Sequence, residues 1–233
     1  MTTTTTFITG ANKSLGYETA RRLIEAGHSV LIGARDPERG QAAADALGAR
    51  FVRIDVTDDA SVAAAAADIA AREGRIDVLV NNAGVFGPHV PADQLTATDA
   101  AAVFEVNVVG IVRVTHAFLP LLRESAHPVI VNVSSGMGSF TLTHDTERAE
   151  GRNLAPLYTA SKAAVTMLTT QYAKSWPEIK VNAADPGYTA TDFNAHSGPQ
   201  TVTEGTDAIV ELATIGADGP TGTFRNRHGD MPW

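Results

Sequence analysis

The stretch TTTFITGANKSLGYETARRLIEA, residues 4–26, decides the fold. β-Branched threonines lead into Phe7 and Ile8, which predicts a buried strand over residues 4–9. From 15 to 26 the apolar residues recur at helical spacing, which predicts a helix. Between the two lies TGANKSLG, residues 9–16. Glycines at a strand-to-helix turn allow a tight bend and let the backbone approach a pyrophosphate closely. They also leave the first amides of the helix aimed at negative charge. The candidate cradle is Gly10, Asn12, Lys13, Ser14, Leu15 and Gly16. Its spacing departs from the GxGxxG fingerprint, so the reading rests on its place between the first strand and the first helix.

Outward from this turn the alternation continues. Strands are predicted over 29–33, 51–56, 77–82 and 129–134, with helices over 37–47, 61–73 and 97–123. A helix over 155–175, a strand over 179–184, a helix over 204–215 and a short strand over 222–224 complete the series. Strands and helices in strict alternation predict an α/β fold, a doubly wound parallel sheet of about seven strands with helices on both faces. No Pro/Gly/Ser-rich linker divides the chain, so residues 1–233 are expected to form a single domain.

Composition narrows the function. A formal charge of −8 with no basic stripe argues against nucleic acid or an anionic membrane as partner, and favours small molecules. Cysteine is absent, which removes disulfide and thiolate chemistry. The N-terminus lacks the basic and apolar regions of a secretory signal, and no run of about 18 apolar residues occurs, so a cytoplasmic location is expected. The seven histidines form no ligand pattern such as HExxH, and no metal is expected.

Chemistry is concentrated in YTASK, residues 158–162. On a helix, Tyr158 and Lys162 share one face, so the ammonium is placed to lower the proton affinity of the phenol. A phenol with a pKa near ~10 is a reluctant acid–base group at neutral pH. Lowering it by roughly three units takes about 4 kcal/mol, within reach of a lysine and a cationic nicotinamide ring together. Ser135 precedes this pair, at the end of an apolar strand-like run.

The end of the second strand selects between cofactors. A basic residue there accommodates a 2′-phosphate, and an acidic one binds a ribose 2′-hydroxyl. Arg35, with Lys13 as a second cation, reads as NADP. Asp36 beside it either pairs with Arg35 or, with a shift in register, favours NAD. Asp55, followed by Val56, either accepts from the adenine amino group or caps the next helix, as Asp58 also can. Two polar, Pro-containing segments, 136–156 and 188–203, follow predicted strand ends. They read as substrate walls or as ordinary surface loops. Phe140, Tyr188 and Phe193 are candidate apolar contacts to substrate, and His144 and His196 candidate polar ones.

Taken together, TGANKSLG, Asp55, NNAG at 81–84, Asn107, VNVSS ending at Ser135, YTASK and PGYTAT at 186–191 resemble the short-chain dehydrogenase/reductase family over essentially the whole chain. The segments GARDPERGQAA and EGTDAIVELATIGADGPTGTF look like its carbonyl reductase branch. The resemblance implies a Rossmann-like domain and a catalytic tetrad of Asn107, Ser135, Tyr158 and Lys162. It places Asn82, Ala83 and Gly84 beside the cofactor, and Pro186, Gly187, Thr189 and Thr191 around the nicotinamide. Two departures stand out. Ser14 replaces the middle glycine of the family's loop, and the long gap between Ser135 and Tyr158 marks 136–156 as an insertion. That insertion leaves monomer and homodimer both open.

The expected activity is NADPH-dependent reduction of a ketone or aldehyde, with NADP(H) as cofactor. An NADP-binding sensor without turnover and an NAD-dependent alcohol dehydrogenase are the alternatives.

Overall fold

The computed structural model describes residues 3–233. Met1 and Thr2, where the threonine run read as strand begins, lie outside them. The elements in chain order are β1 (Thr5–Thr9), α1 (Ser14–Glu25), β2 (Ser29–Ala34), α2 (Pro37–Leu47), β3 (Arg50–Arg53), α3 (Asp59–Arg72) and β4 (Val78–Asn81). Next come α4 (Ala97–Phe104), a π-helical turn (Glu105–Val109), α5 (Gly110–Arg123), β5 (Val129–Val133), α6 (Phe140–His144) and α7 (Ala149–Arg152). The chain ends with α8 (Pro156–Ser175), β6 (Lys180–Ala184), α9 (Val202–Gly205), α10 (Asp207–Ala213), β7 (Phe224–Asn226) and β8 (Gly229–Asp230).

The sheet runs β3-β2-β1-β4-β5-β6-β7-β8. Every pairing is parallel except β7 with β8. The eighth strand exceeds the seven expected: it is only two residues long, too short to carry a period. Chain order reverses between β1 and β4, and ligands of such sheets bind at the carboxyl ends of the strands at that point. The glycine turn after β1 and Asn82-Ala83-Gly84 after β4 therefore face one crevice.

Alternation along each strand feeds two cores. On one face Ile8, Ile32, Val80 and Val131 pack with Leu23, Ala44 and Leu212 of α1, α2 and α10. On the other, Phe7, Leu31, Leu79 and Ile130 pack with Ile69, Phe118 and Leu122 of α3 and α5. The span Ala97–Arg123 is long and apolar enough to cross a membrane. Its residues Val103, Val114, Phe118 and Leu122 are instead buried in the protein's own core.

Other boundaries moved for local reasons. β3 stops at Arg53 rather than 56, because Asp55 turns back on Thr57, whose N–H and Oγ1 it accepts at 3.0 and 2.7 Å. The helix expected over 204–215 is two, with Thr206 between them. The last parallel strand begins at Phe224, after Gly222 takes φ of +70°. Segment 136–156, expected as loop, folds into a 3-10 turn at Gly136–Gly138 and the short helices α6 and α7.

Candidate active site

At the glycine turn, a Cβ on Gly16 would lie 2.5 Å from the Gly10 carbonyl oxygen and 2.6 Å from Asn82 Nδ2. Only glycine fits. Asn82 Nδ2 donates to the carbonyls of Thr9 and Gly10 at 2.9 and 3.0 Å, so this side chain holds the turn in shape. The N–H of Ala83 donates to Thr9 Oγ1 at 3.1 Å. Ser14, the position that departs from the family pattern, takes φ of +49°, the left-handed region that favours glycine. No side chain caps α1, which leaves its first-turn amides, in the Ser14-Leu15-Gly16 stretch, for an external acceptor.

Around this turn the charges are arranged unequally. Arg35 is exposed at the end of β2 and makes no ion pair among the described residues. Asp36 is occupied elsewhere: its Oδ1 accepts from the Arg39 N–H at 3.0 Å as the cap of α2, and its Oδ2 lies 3.6 Å from Arg39 Nε. Its partner is thus Arg39 and not Arg35. Lys13, expected as a second free cation, instead reaches across the crevice to Asp192 at 2.8 Å. The cap of α3 is Asp58, which accepts from the Ala60 and Ser61 amides. Asp55 serves the turn at Thr57, whose hydrogen bonds hold its carboxyl below the usual range. Val56 is buried beside Gly110.

The four residues expected to form the tetrad converge. Asn107 is buried in the π-helical turn, where its Oδ1 accepts from the Val85 N–H at 2.8 Å. Its Nδ2 donates to the Val85 carbonyl at 2.8 Å and to Ser161 Oγ at 3.0 Å. Its side chain is therefore committed to structure. Asn107 Oδ1 and Lys162 Nζ meet at Gly84, 3.4 and 3.7 Å from where a Cβ would stand. Lys162 is 5 % exposed and donates to the Val133 carbonyl at 2.8 Å, with Nζ 5.6 Å from the centre of the Tyr158 ring. Ser135 follows β5, accepts from the Met137 N–H at 3.2 Å, and its hydroxyl draws the Tyr158 phenol toward ionisation.

Electrostatics depart from the expectation that the lysine lowers the phenol. Burial pushes the Tyr158 phenol well above its ordinary value, Ser135 offsets part of this, and the charge of Asp185 adds to the rise. Burial pulls Lys162 down to about 8, partly countered by Asp185. Desolvation opposes the charged form of either group, and the ammonium spends its hydrogen bond on a neutral carbonyl.

Aromatic rings flank Tyr158. Phe86 stacks on Tyr158 with centroids 5.0 Å apart, and Phe193 lies 5.6 Å from Tyr158 and edge-on to Phe86. His89 stacks on the far side of Phe86 at 4.7 Å. Phe193 was expected here; Phe86 and His89 were not, although both follow NNAG closely in sequence. Phe140 is 70 % exposed, and Tyr188 bonds Ser197 at 2.6 Å; neither belongs to the ring cluster. His144 turns to its own helix at Phe140, and His196 to Asp192.

After β6, Thr189 Oγ1 donates to the Pro186 carbonyl at 2.8 Å, and Thr189 and Thr191 are both buried. Gln200 Oε1, beside Gly187, is buried and has no partner among the described residues. An uncapped helix start, an unpaired Arg35 and an orphaned amide oxygen at Gly187 fit a ligand with a pyrophosphate, an anionic ribose and a carboxamide. No cluster of metal-ligating residues occurs among the described residues.

The family model for short chain dehydrogenases matches residues 4–201. The chain belongs to that family. Among curated short-chain dehydrogenases, it is 33 % identical to (−)-isopiperitenone reductase of Mentha piperita, over 93 % of this chain and 94 % of the relative. It is 30 % identical to salutaridine reductase of Papaver bracteatum, over 93 % and 92 %. Among solved structures, the NADPH-bound carbonyl reductase from chicken fatty liver superposes with a TM-score of 0.89 at 27 % identity, covering 100 % of both chains. Like these relatives, the chain is an oxidoreductase acting on carbonyl or CH–OH groups.

Proposed function

We propose that this protein is an NADPH-dependent reductase of an apolar, ring-bearing ketone or aldehyde. The observation that carries the reading is the convergence of Ser135, Tyr158 and Lys162 beneath the rings of Phe86 and Phe193. The family and the relatives' names support reduction of a carbonyl, and the NADPH-bound neighbour together with Arg35 supports the phosphorylated cofactor.

When bound, the cofactor supplies a hydride to the carbonyl carbon. Arg35 would hold its 2′-phosphate, the first turn of α1 its pyrophosphate, and Gln200 Oε1 its carboxamide. Ser135 donates to the substrate oxygen as negative charge develops there, an interaction strongest in the transition state. Tyr158 delivers the proton to that oxygen. The phenol is in its protonated form at neutral pH and can serve as the donor. Lys162 sits behind the phenol, and Asn107 holds the π-helical turn and the Val85 segment that shape the floor of the site. Phe86 and Phe193 offer flat apolar surface to a ring.

Tyr158→Phe tests the assignment. Turnover of NADPH with a panel of cyclic and aromatic ketones is expected to fall by about 10²- to 10⁴-fold, while NADPH binding, read from its fluorescence, stays within a few-fold. Carbonyl reduction at the original rate would refute the role of the phenol. Arg35→Asp removes the cation and places a carboxylate on the ribose. The kcat/KM ratio for NADPH over NADH is then expected to drop by at least about tenfold, and an unchanged ratio would show that selectivity lies elsewhere.

A further inference from the structure

We propose that Ser161 is a positioning residue for this reaction. Its buried hydroxyl joins Asn107 to the carbonyl of Tyr158, and through that joint the phenol and the Phe86 ring stacked on it are held to one frame. The inference rests on the reading of Tyr158 as proton donor given above.

Both stacked residues lie where the backbone is weakly held. Tyr158 is in the first turn of α8, whose start at Ala155 has no side-chain cap, and first-turn amides have no partner in their own helix. Phe86 lies in a stretch without regular structure. From Gly84 to Val90 the only backbone hydrogen bonds among the described residues are those of Val85, and both go to Asn107. Asn107 Oδ1 accepts from the Val85 N–H and Nδ2 donates to the Val85 carbonyl, each at 2.8 Å.

The second amide hydrogen of Asn107 goes to Ser161 Oγ at 3.0 Å, and Ser161 donates its own hydrogen to the Tyr158 carbonyl at 2.7 Å. Asn107 is 1 % and Ser161 0 % exposed, so water does not compete for these bonds. The chain runs in one sense, from amide to hydroxyl to carbonyl, an order in which each bond polarises the next. At its ends stand Tyr158 and Val85, and Val85 directly precedes the ring that stacks on Tyr158 at 5.0 Å. Thr170, further along α8, lacks such a joint: its hydroxyl donates to the Thr166 carbonyl of its own helix and accepts from no other element among the described residues.

The chain has four tyrosines, so the resonances of ring-¹³C-tyrosine can be followed one by one in the full chain without turnover, with Tyr158→Phe assigning the signal of interest. Phe86→Leu gives the position of that signal with the stack removed. Ser161→Ala is expected to move the Tyr158 signal toward this position and to leave Tyr17, Tyr172 and Tyr188 in place. Thr170→Ala is expected to move none of the four. The single-turnover rate of NADPH oxidation by a cyclic ketone is expected to fall by about tenfold in Ser161→Ala, as for a reacting group displaced by a fraction of an ångström, with the NADPH Kd changed by less than about twofold. Should Ser161→Ala fold poorly, Ser161→Cys fills the same space with a much weaker hydrogen-bonding group and reads the same signal.

An unmoved Tyr158 signal in the Ser161 variants, or all four signals moving together, overturns the proposal. So does a wild-type single-turnover rate in Ser161→Ala while Tyr158→Phe is slow. A merely structural serine would lower stability and leave both the Tyr158 signal and the rate of the folded protein unchanged. Full activity in Tyr158→Phe would sink the reductase mechanism and leave the effect of Ser161 on the tyrosine signal intact, so the two failures are separable.

Discussion

Replacing Lys162 by methionine should make the cofactor-free protein more stable at neutral pH in a way that fades as pH rises. The lysine is 5 % exposed, and its pKa falls from an ordinary 10.5 to about 8 on folding. Between these values the unfolded chain binds the proton and the native chain does not, so stability rises with pH across the window. Below pH 8 the native state carries the whole penalty of a desolvated ammonium, about 3 kcal/mol for a shift of this size. Most of it is recovered by pH 10.

Methionine escapes that penalty but leaves the Val133 carbonyl without its donor, at a cost of about 1–3 kcal/mol. The cost is an offset and carries no slope of its own. Urea unfolding of both proteins from pH 7 to 10 should therefore show the wild type gaining about 2–3 kcal/mol on the variant. Other groups titrate in both proteins and cancel to first order. A difference that stays flat to within about 0.5 kcal/mol over this range would mean that the ammonium is not desolvated, and the account of Lys162 would fall.

Two further outcomes follow from the fold itself. Ser14→Gly relieves a left-handed backbone at a residue whose side chain makes no hydrogen bond among the described residues, and should raise stability by about 0.5–1 kcal/mol, visible as a higher Tm. A lower Tm would show that the hydroxyl is doing something the backbone strain conceals. Phe118→Ala empties a fully buried site where the ring stacks on Phe7 at 4.8 Å, and should cost about 3–5 kcal/mol with an unchanged denaturant slope. A loss under about 1 kcal/mol would mean that α5 repacks onto the sheet.

Much of the architecture was legible because parallel strands buried on both faces read as continuous apolar runs, and the β1–α1 turn has few other uses. What escaped was short or assembled from distant parts. β8 has two residues and no period. α6 and α7 lie in a segment whose polar, proline-containing composition reads as loop. In the candidate site, the spacing of Tyr158 and Lys162 was plain, since i and i+4 share a helix face. The direction of their titration was not, because it depends on burial by residues far along the chain. Phe86 carried a weak signal from its place after NNAG.

Burial drives Tyr158 and Lys162 toward their neutral forms, and a bound positive ring would act on the two in opposite senses. A neutral phenol can donate a proton, and the lysine alone does not supply a tyrosinate. A positive ring next to the phenol would lower its pKa, and the same positive charge would drive the lysine further toward neutrality.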